Sequence, residues 1–267
     1  MATEAVARPA ATILLLRDGA DGLEVFMVVR HHAIDFASGA LVFPGGRVDE
    51  HDHALAADGA LCPNPDGLPV ADMAFVVAAI RETFEECGVL LARPRESDAL
   101  IDADQLRAVE DEHRADLAPG RVRFDAVLTA HDLVLATDLL VPFAHWITPA
   151  HQPKRYDTRF FLAAAPAAHL AVHDGSESVD SVWITPRQAL ADTAAGRFKL
   201  VFATQMNLVK LGWSATVAEA MAAARRSTVV TVLPRMTPID ATRRRLVIPA
   251  EAGYGGSEFI VDNPPAS

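Results

Sequence analysis

Cysteine is nearly missing from this chain: Cys62 and Cys87 are the only two among 267 residues. Two cysteines make no disulfide framework, which excludes the small secreted scaffolds that depend on one, so a reducing, cytoplasmic setting is expected. Long apolar runs are lacking as well. No stretch approaches the roughly 20 apolar residues of a membrane helix. The N-terminus has no secretory pattern, because Glu4 precedes any basic residue and the apolar run at 14–16 stops at Arg17-Asp18. The C-terminal Pro-Ala-Ser is no peroxisomal address. Basic charge is in deficit, with 24 Lys and Arg against 35 Asp and Glu and a net charge of −11. That balance argues against nucleic acid as a partner held by a broad basic surface. A polyanionic small ligand stays open, because bound divalent cations invert local charge.

Apolar residues reach 51%, enough for a real core, and the length fits one large domain or two small ones. Residues 11–16 and 23–29 are apolar and β-branched, with Asp18-Gly19-Ala20-Asp21-Gly22 between them as turn chemistry, so paired strands are expected. A short strand at 40–43 runs into Pro44-Gly45-Gly46. Residues 51–70 hold Gly59, Pro63, Pro65, Gly67 and Pro69 and are expected to be loop. The pattern at 71–87 predicts a helix that Gly88 ends. A second helix, acidic and exposed, is expected at 97–117, with Leu106, Val109 and Leu117 on one side. Strands are expected at 139–147, 156–165 and 179–184, and helices at 186–195, 201–213 and 216–225. Short strand-like runs at 229–233 and 245–248 close the chain. This alternation predicts one mixed α/β domain with an inserted helical piece.

The chemistry concentrates in Arg81-Glu82-Thr83-Phe84-Glu85-Glu86-Cys87-Gly88-Val89. On a helix, Glu82, Glu85 and Glu86 share one face. Carboxylates gathered in this way repel one another unless a cation sits between them. Hard divalent ions such as Mg²⁺ take oxygen ligands, polarise phosphoryl oxygens and generate hydroxide from water. The alternative is a solvated acidic face. Against it stands the helix's other side, with Phe75, Ala79 and Thr83, which predicts a packed helix with glutamates along its edge.

Pro44-Gly45-Gly46 followed by Arg-Glu-x-x-Glu-Glu-x-Gly resembles the Nudix box, a loop-helix-loop that binds metal and pyrophosphate. Gly46 matches the first glycine of that pattern, and Arg81 through Val89 match its last part. The chain departs from it at Asp52, which stands where the first glutamate belongs, at Thr83 in a hydrophobic position, and at residues 53–80, which replace a short spacer. The stretches 8–12, 38–49 and 155–162 are similar to one subgroup, which includes the peroxisomal coenzyme A and acyl-CoA diphosphatases. The likeness runs from about Arg8 to Leu211.

This resemblance implies an α/β/α sandwich with a mixed sheet over residues 1–267. It carries a loop insertion at 53–70, a helical insertion at 92–134 and a C-terminal extension from 214. Glu85 and Glu86 are implied as the main ligands of Mg²⁺ or Mn²⁺, Glu82 as a further ligand or the base, and the Gly46 carbonyl as another oxygen. Arg81 is implied as a catalytic-site residue. Glu177, on a loop entering a strand, is where many members of the family place an acidic residue that reaches metal or water.

Gly45, Gly46 and Arg47 are expected to bind substrate. Arg155, Asp157 and Arg159 share a strand face by its period of two, and Arg155 and Arg159 are expected to hold phosphate, with a surface ion-pair ladder as the alternative. His51 and His53 lack cysteine partners and are expected to be loop residues. Arg243-Arg244-Arg245 and Arg225-Arg226 read as a charged edge strand and a helix end. Trp146, Trp183 and Trp213 are expected in the core.

The function expected is metal-dependent hydrolysis of a pyrophosphate bond in a small nucleotide, with coenzyme A or an acyl-CoA first. ADP-ribose or NADH is the runner-up within the enzyme class. A Nudix-fold ligand sensor without turnover is the rival, and the intact Arg81, Glu82, Glu85 and Glu86 argue against it. Oligomeric state is left open, with a homodimer admitted, and the insertion after the helix is expected to wall an apolar groove.

Overall fold

The structure, a computed structural model, describes residues 5–30, 40–150, 152–167, 169 and 178–262. Strand β1 (Arg8–Gly19) turns tightly into β2 (Gly22–Arg30), with Gly19 opposite Gly22. Gly22 takes a φ of +109°, a conformation open to glycine at little cost. Two short strands follow, β3 (Leu41–Val42) and β4 (Gly45–Arg47).

Residues predicted as loop then begin with a helix, α1 (Glu50–Ala56). Its cause is a reciprocal cap: the Asp49 carboxylate accepts from His51 and Asp52 N–H while Asp52 accepts from Asp49 N–H. The prolines and glycines that suggested a loop all lie beyond it.

Helix α2 (Val70–Cys87) starts and ends as predicted, and Gly88 closes it at φ +68° with its N–H on Phe84 O at 2.9 Å. Every residue from Met73 to Arg81 is buried, so α2 is embedded on all sides and its glutamates do not stand on an exposed edge.

The inserted piece is bracketed by a two-stranded ladder, β5 (Ala92–Pro94) and β6 (Leu133–Leu135). Between them lie α3 (Ala103–Val109), one wide π turn (Glu110–Arg114), α4 (Ala115–Leu117) and α5 (Phe124–Ala130). The helix expected from 97 starts at 103, because Asp102 caps it and Gln105 bonds back to the cap. Leu106, Val109, Leu117 and Phe124 are buried against α2's core, so the insertion packs into the body of the protein.

Strands β7 (Val141–Ile147), β8 (Tyr156–Ala164) and β9 (Ser178–Ile184) lead into α6 (Pro186–Ala194), α7 (Phe202–Leu211) and α8 (Val217–Arg226). The tail adds β10 (Thr231–Val232), then β11 (Arg235–Pro238), β12 (Arg243–Val247) and β13 (Glu258–Asp262) as a separate three-stranded antiparallel sheet. The Arg243–Val247 strand is central in that sheet and is not the edge strand expected.

The main sheet runs β10-β7-β8-β1-β2-β3, with β4 also on β1 and β9 also on β2. It is mixed: β1 and β8 are parallel, as are β7 and β10, and the other pairings are antiparallel. Both faces are covered, so its central strands read as near-continuous apolar runs. In β1, Ala11, Ile13 and Leu15 join the core under α2, while Leu14 and Leu16 join the core under α7 and α8. This is the helix-sheet-helix sandwich expected. No described helix is long and apolar enough to cross a membrane. Trp146 is buried as expected, and Trp183 is half-buried against Phe26 and Arg17. Trp213 is 59% exposed and is no core anchor.

Candidate active site

Burial of α2 and the approach of β4 create the site together. β4 pairs with β1 through Gly46 opposite Ala11 and Gly45 opposite Thr12, which presses the glycine pair against α2. Gly45 N–H donates to Glu86 Oε2 at 2.9 Å. A Cβ on Gly46 would overlap the Glu82 carboxylate, and one on Gly45 would overlap Ala11 O. Only glycine lets the strand come this close to the carboxylates.

Arg81 organises their charge. Its Nε and Nη2 donate to Asp52, at 2.9 Å each, and Nη2 also donates to Arg47 O at 2.9 Å. Nη1 donates to Glu82 Oε1 at 2.9 Å and to Glu85 Oε1 at 3.2 Å. Asp52, at 1% exposure, is the most buried carboxylate of the group. Its place at the head of α1 explains why aspartate stands where the resemblance led us to expect glutamate: it forks Arg81 and closes the α1 cap at once.

Burial alone would lower the Arg81 guanidinium, but the Asp52 hydrogen bonds and the Glu82 and Glu85 charges outweigh it and hold it above its ordinary value. Burial pushes the Glu82 carboxyl up to about 7 against the pull of Arg81, and burial likewise raises Glu85.

Three carboxylates, Asp52, Glu82 and Glu85, therefore share one guanidinium, and Glu86 lies beside them on the Gly45 N–H. The excess negative charge, the oxygen-only donors and the space kept by Gly46 fit a hard divalent cation. The three glutamates face a cleft of about 1270 Å³, while Asp52 lies behind them. Gly45, Gly46, Arg47, Arg81, Glu82, Glu85 and Glu86 all line it, and Arg47 is exposed at its wall.

Two predicted members of the site lie elsewhere. Arg155 is buried and spends its guanidinium on Thr148 O and Ala5 O, at 2.9 and 2.7 Å. Arg159 pairs with Asp72 at 2.8 Å and lies over the Phe75 ring. The period of two was right, but the β8 residues that line the cleft are the alternate ones, Tyr156, Thr158 and Phe160. Asp157 pairs with His145, in keeping with a structural ladder. Glu177 lies outside the described residues. His53 sits on α1 and lines the cleft, while His51 is exposed.

From the insertion, only Ala118 reaches the cleft, so the far wall is not the one expected. Phe43, Trp146, Phe160 and Phe202 form an apolar section, and the tail sheet closes it with Met236, Leu246 and Arg244. The tail's contribution was missed. Its one signal is alternation, with Arg244 and Leu246 at a spacing of two. For Asp52 the signal was Asp49-x-x-Asp52, which has the spacing of a capping box.

Residues 60–203 match the family model described as the NUDT19 Nudix domain. The chain is 28% identical over 179 residues to putative nudix hydrolase 7 of Caenorhabditis elegans, covering 66% of this chain and 51% of that protein. It is 29% identical over 208 residues to acyl-coenzyme A diphosphatase NUDT19 of Homo sapiens, covering 64% of this chain and 55% of that protein. The chain thus spans about half the length of the curated relatives it matches. The crystal structure of a NUDIX hydrolase from Alicyclobacillus acidocaldarius superposes with a TM-score of 0.69 at 32% identity, covering 81% of this chain and 96% of that one.

Proposed function

Because the chain belongs to the NUDT19-type Nudix hydrolase family, we propose that it hydrolyses the pyrophosphate bond of coenzyme A or an acyl-CoA with the help of Mg²⁺ or Mn²⁺. The observation that carries this is the set of carboxylates, Asp52 buried and Glu82 and Glu85 half-buried, crowded on Arg81 beside Gly45 and Gly46 at the wall of a large cleft. Relatives named as acyl-coenzyme A diphosphatases support the substrate class.

In this reading Glu82, Glu85 and Glu86, with the Gly46 carbonyl, hold the cation. The ion supplies Lewis-acid polarisation of a phosphoryl oxygen and a more acidic bound water. The chain's own residues do the rest. Arg81, fixed by Asp52, keeps Glu82 and Glu85 in place, and Gly45 N–H does the same for Glu86. Arg47 meets phosphate oxygens from the exposed side. Water adds to phosphorus, the bridging P–O bond breaks, and a carboxylate takes the water's proton, with Glu82 and Glu177 as the candidates. Phe43, Trp146, Phe160 and Phe202 give the pantetheine arm an apolar surface. Two buried cysteines in no disulfide suit a reducing compartment, and the cytoplasm is the location this reading takes.

The test is product-resolved chromatography of coenzyme A, ADP-ribose, NADH and nucleoside triphosphates incubated with the protein and Mg²⁺ or Mn²⁺. Coenzyme A is expected to yield adenosine 3′,5′-bisphosphate and 4′-phosphopantetheine. Faster turnover of ADP-ribose would move the assignment to the runner-up, and binding without turnover of any of them would leave a ligand sensor.

A further inference from the structure

Three arginines stand in a row on β12, and they do not share one environment. Arg243 pairs with Asp240 at 2.7 Å, and Arg245 reaches Glu258 at 3.8 Å. By the alternation of a strand both point away from the face that Arg244 and Leu246 present. That face lines the cleft, with Met236 opposite Leu246 and Val261 opposite Arg244 on the neighbouring strands. Arg244 has no ion pair or hydrogen bond among the described residues, and its Nε is closed off from solvent without a partner. Asp262 also lines the cleft but forms no ion pair with it.

A guanidinium with a dry, unmatched N–H is unfavourable unless an acceptor arrives, and its planar fork suits the two oxygens of a phosphate. The carboxylate wall on α2 cannot be that acceptor, since no ion pair links Arg244 to any of its members. The cleft therefore offers an anion two kinds of place: the acidic wall, where a cation is needed, and a separate cationic group on the tail sheet.

We propose that Arg244 binds a phosphomonoester carried by the nucleoside end of the substrate, apart from the scissile pyrophosphate. This rests on the proposed hydrolase function and narrows its substrate to nucleotides with an additional phosphate, such as coenzyme A with its 3′-phosphate. It assigns selectivity to the tail, which lies beyond the residues that match the family model.

The test compares kcat/KM for coenzyme A and for dephospho-coenzyme A in the wild type, Arg244→Gln, Arg244→Lys and Arg243→Gln. The wild type is expected to prefer coenzyme A, and Arg244→Gln to reduce that preference by about ten- to a hundredfold. Arg244→Lys should restore part of it, and Arg243→Gln should leave it unchanged. Equal losses on both substrates, or none, would overturn the proposal.

A second arm does not need turnover. Calorimetry with adenosine 3′,5′-bisphosphate and with AMP should show the bisphosphate losing at least about tenfold more affinity than AMP on Arg244→Gln. If neither coenzyme A form is hydrolysed, the hydrolase reading fails and this arm alone judges Arg244. If both are hydrolysed but the calorimetric difference is absent, the Arg244 site fails and the hydrolase reading stands. Native-like thermal melts of both Arg244 variants keep misfolding from imitating either result.

Discussion

The two walls of the cleft each carry an arginine, buried on α2 and half-buried on the tail sheet, and they treat it in opposite ways. On α2, Arg81 is surrounded by Asp52, Glu82 and Glu85, and every fork of its guanidinium is occupied. On the tail sheet, the Arg244 side chain has no hydrogen bond or ion pair among the described residues, and its Nε is closed off from solvent. The first arginine is consumed by the fold, holding carboxylates in place before any ligand comes. The second is left over by the fold and so is free to recognise one. A residue's type and its position in the cleft do not separate these roles. Its existing hydrogen bonds do.

The sharpest way to break this contrast acts on the acidic wall. A chelator should abolish turnover, and Mg²⁺ or Mn²⁺ should restore it, since an excess of carboxylates cannot receive a pyrophosphate without a cation. Undiminished turnover in chelator would sink the assignment.

Next comes Glu86→Gln, expected to lower kcat by about two to four orders of magnitude with the fold retained. The amide oxygen can still accept from Gly45 N–H, so that bond is kept while the charge is lost. The contrast predicts a kinetic split as well: Glu86→Gln acts mainly on kcat, whereas Arg244→Gln acts mainly on KM for the phosphorylated substrate.

Arg81→Ala tests whether that arginine belongs to the fold. It strands Asp52 at 1% exposure without its partner and should destabilise the protein by about 3–5 kcal/mol in urea melts. A loss of activity with unchanged stability would make Arg81 a ligand-binding residue like Arg244, and the contrast would collapse.

The smallest effect expected is on the tail's anchor. Trp146 Nε1 donates to Tyr254 Oη at 2.7 Å, and Tyr254 donates to Asn207 Oδ1 at 2.9 Å. Tyr254→Phe should cost about 1–2 kcal/mol, and because it loosens the tail wall it should raise KM more than it lowers kcat. An unchanged KM would show that the wall stands without this bond.

Legibility from sequence followed the range of the interactions. Helix α2 and its carboxylate face were readable because spacing along one helix and the Gly88 stop are local signals. The main strands were readable because both sheet faces are covered and the runs are apolar. Helix α1 was hidden by polar residues and by the Pro and Gly that follow it, although its cap is written in Asp49 and Asp52. The pairing of Asp52 with Arg81 spans a loop that no local pattern measures.

Arg155 and Arg159 were given the right periodicity and the wrong side. Period two says which residues share a face, while the packing of Asp72 and Phe75 on α2 decides where that face looks. The tail strands are short and polar on one side, so Arg244 looked like its neighbours until their pairing with Asp240 and Glu258 set it apart.

The fastening of Tyr254 to Trp146 and Asn207 also bears on how the molecule is made. A chain is synthesised from its N-terminus, so α2 and the sheet can form while β11, β12 and β13 are still to come. The nascent protein has its acidic wall in place and one side of the cleft open. That opening closes only once residues near 254 have reached back across more than a hundred positions to Trp146. The wall that carries Arg244 is thus added after the carboxylate wall with which it shares the cleft.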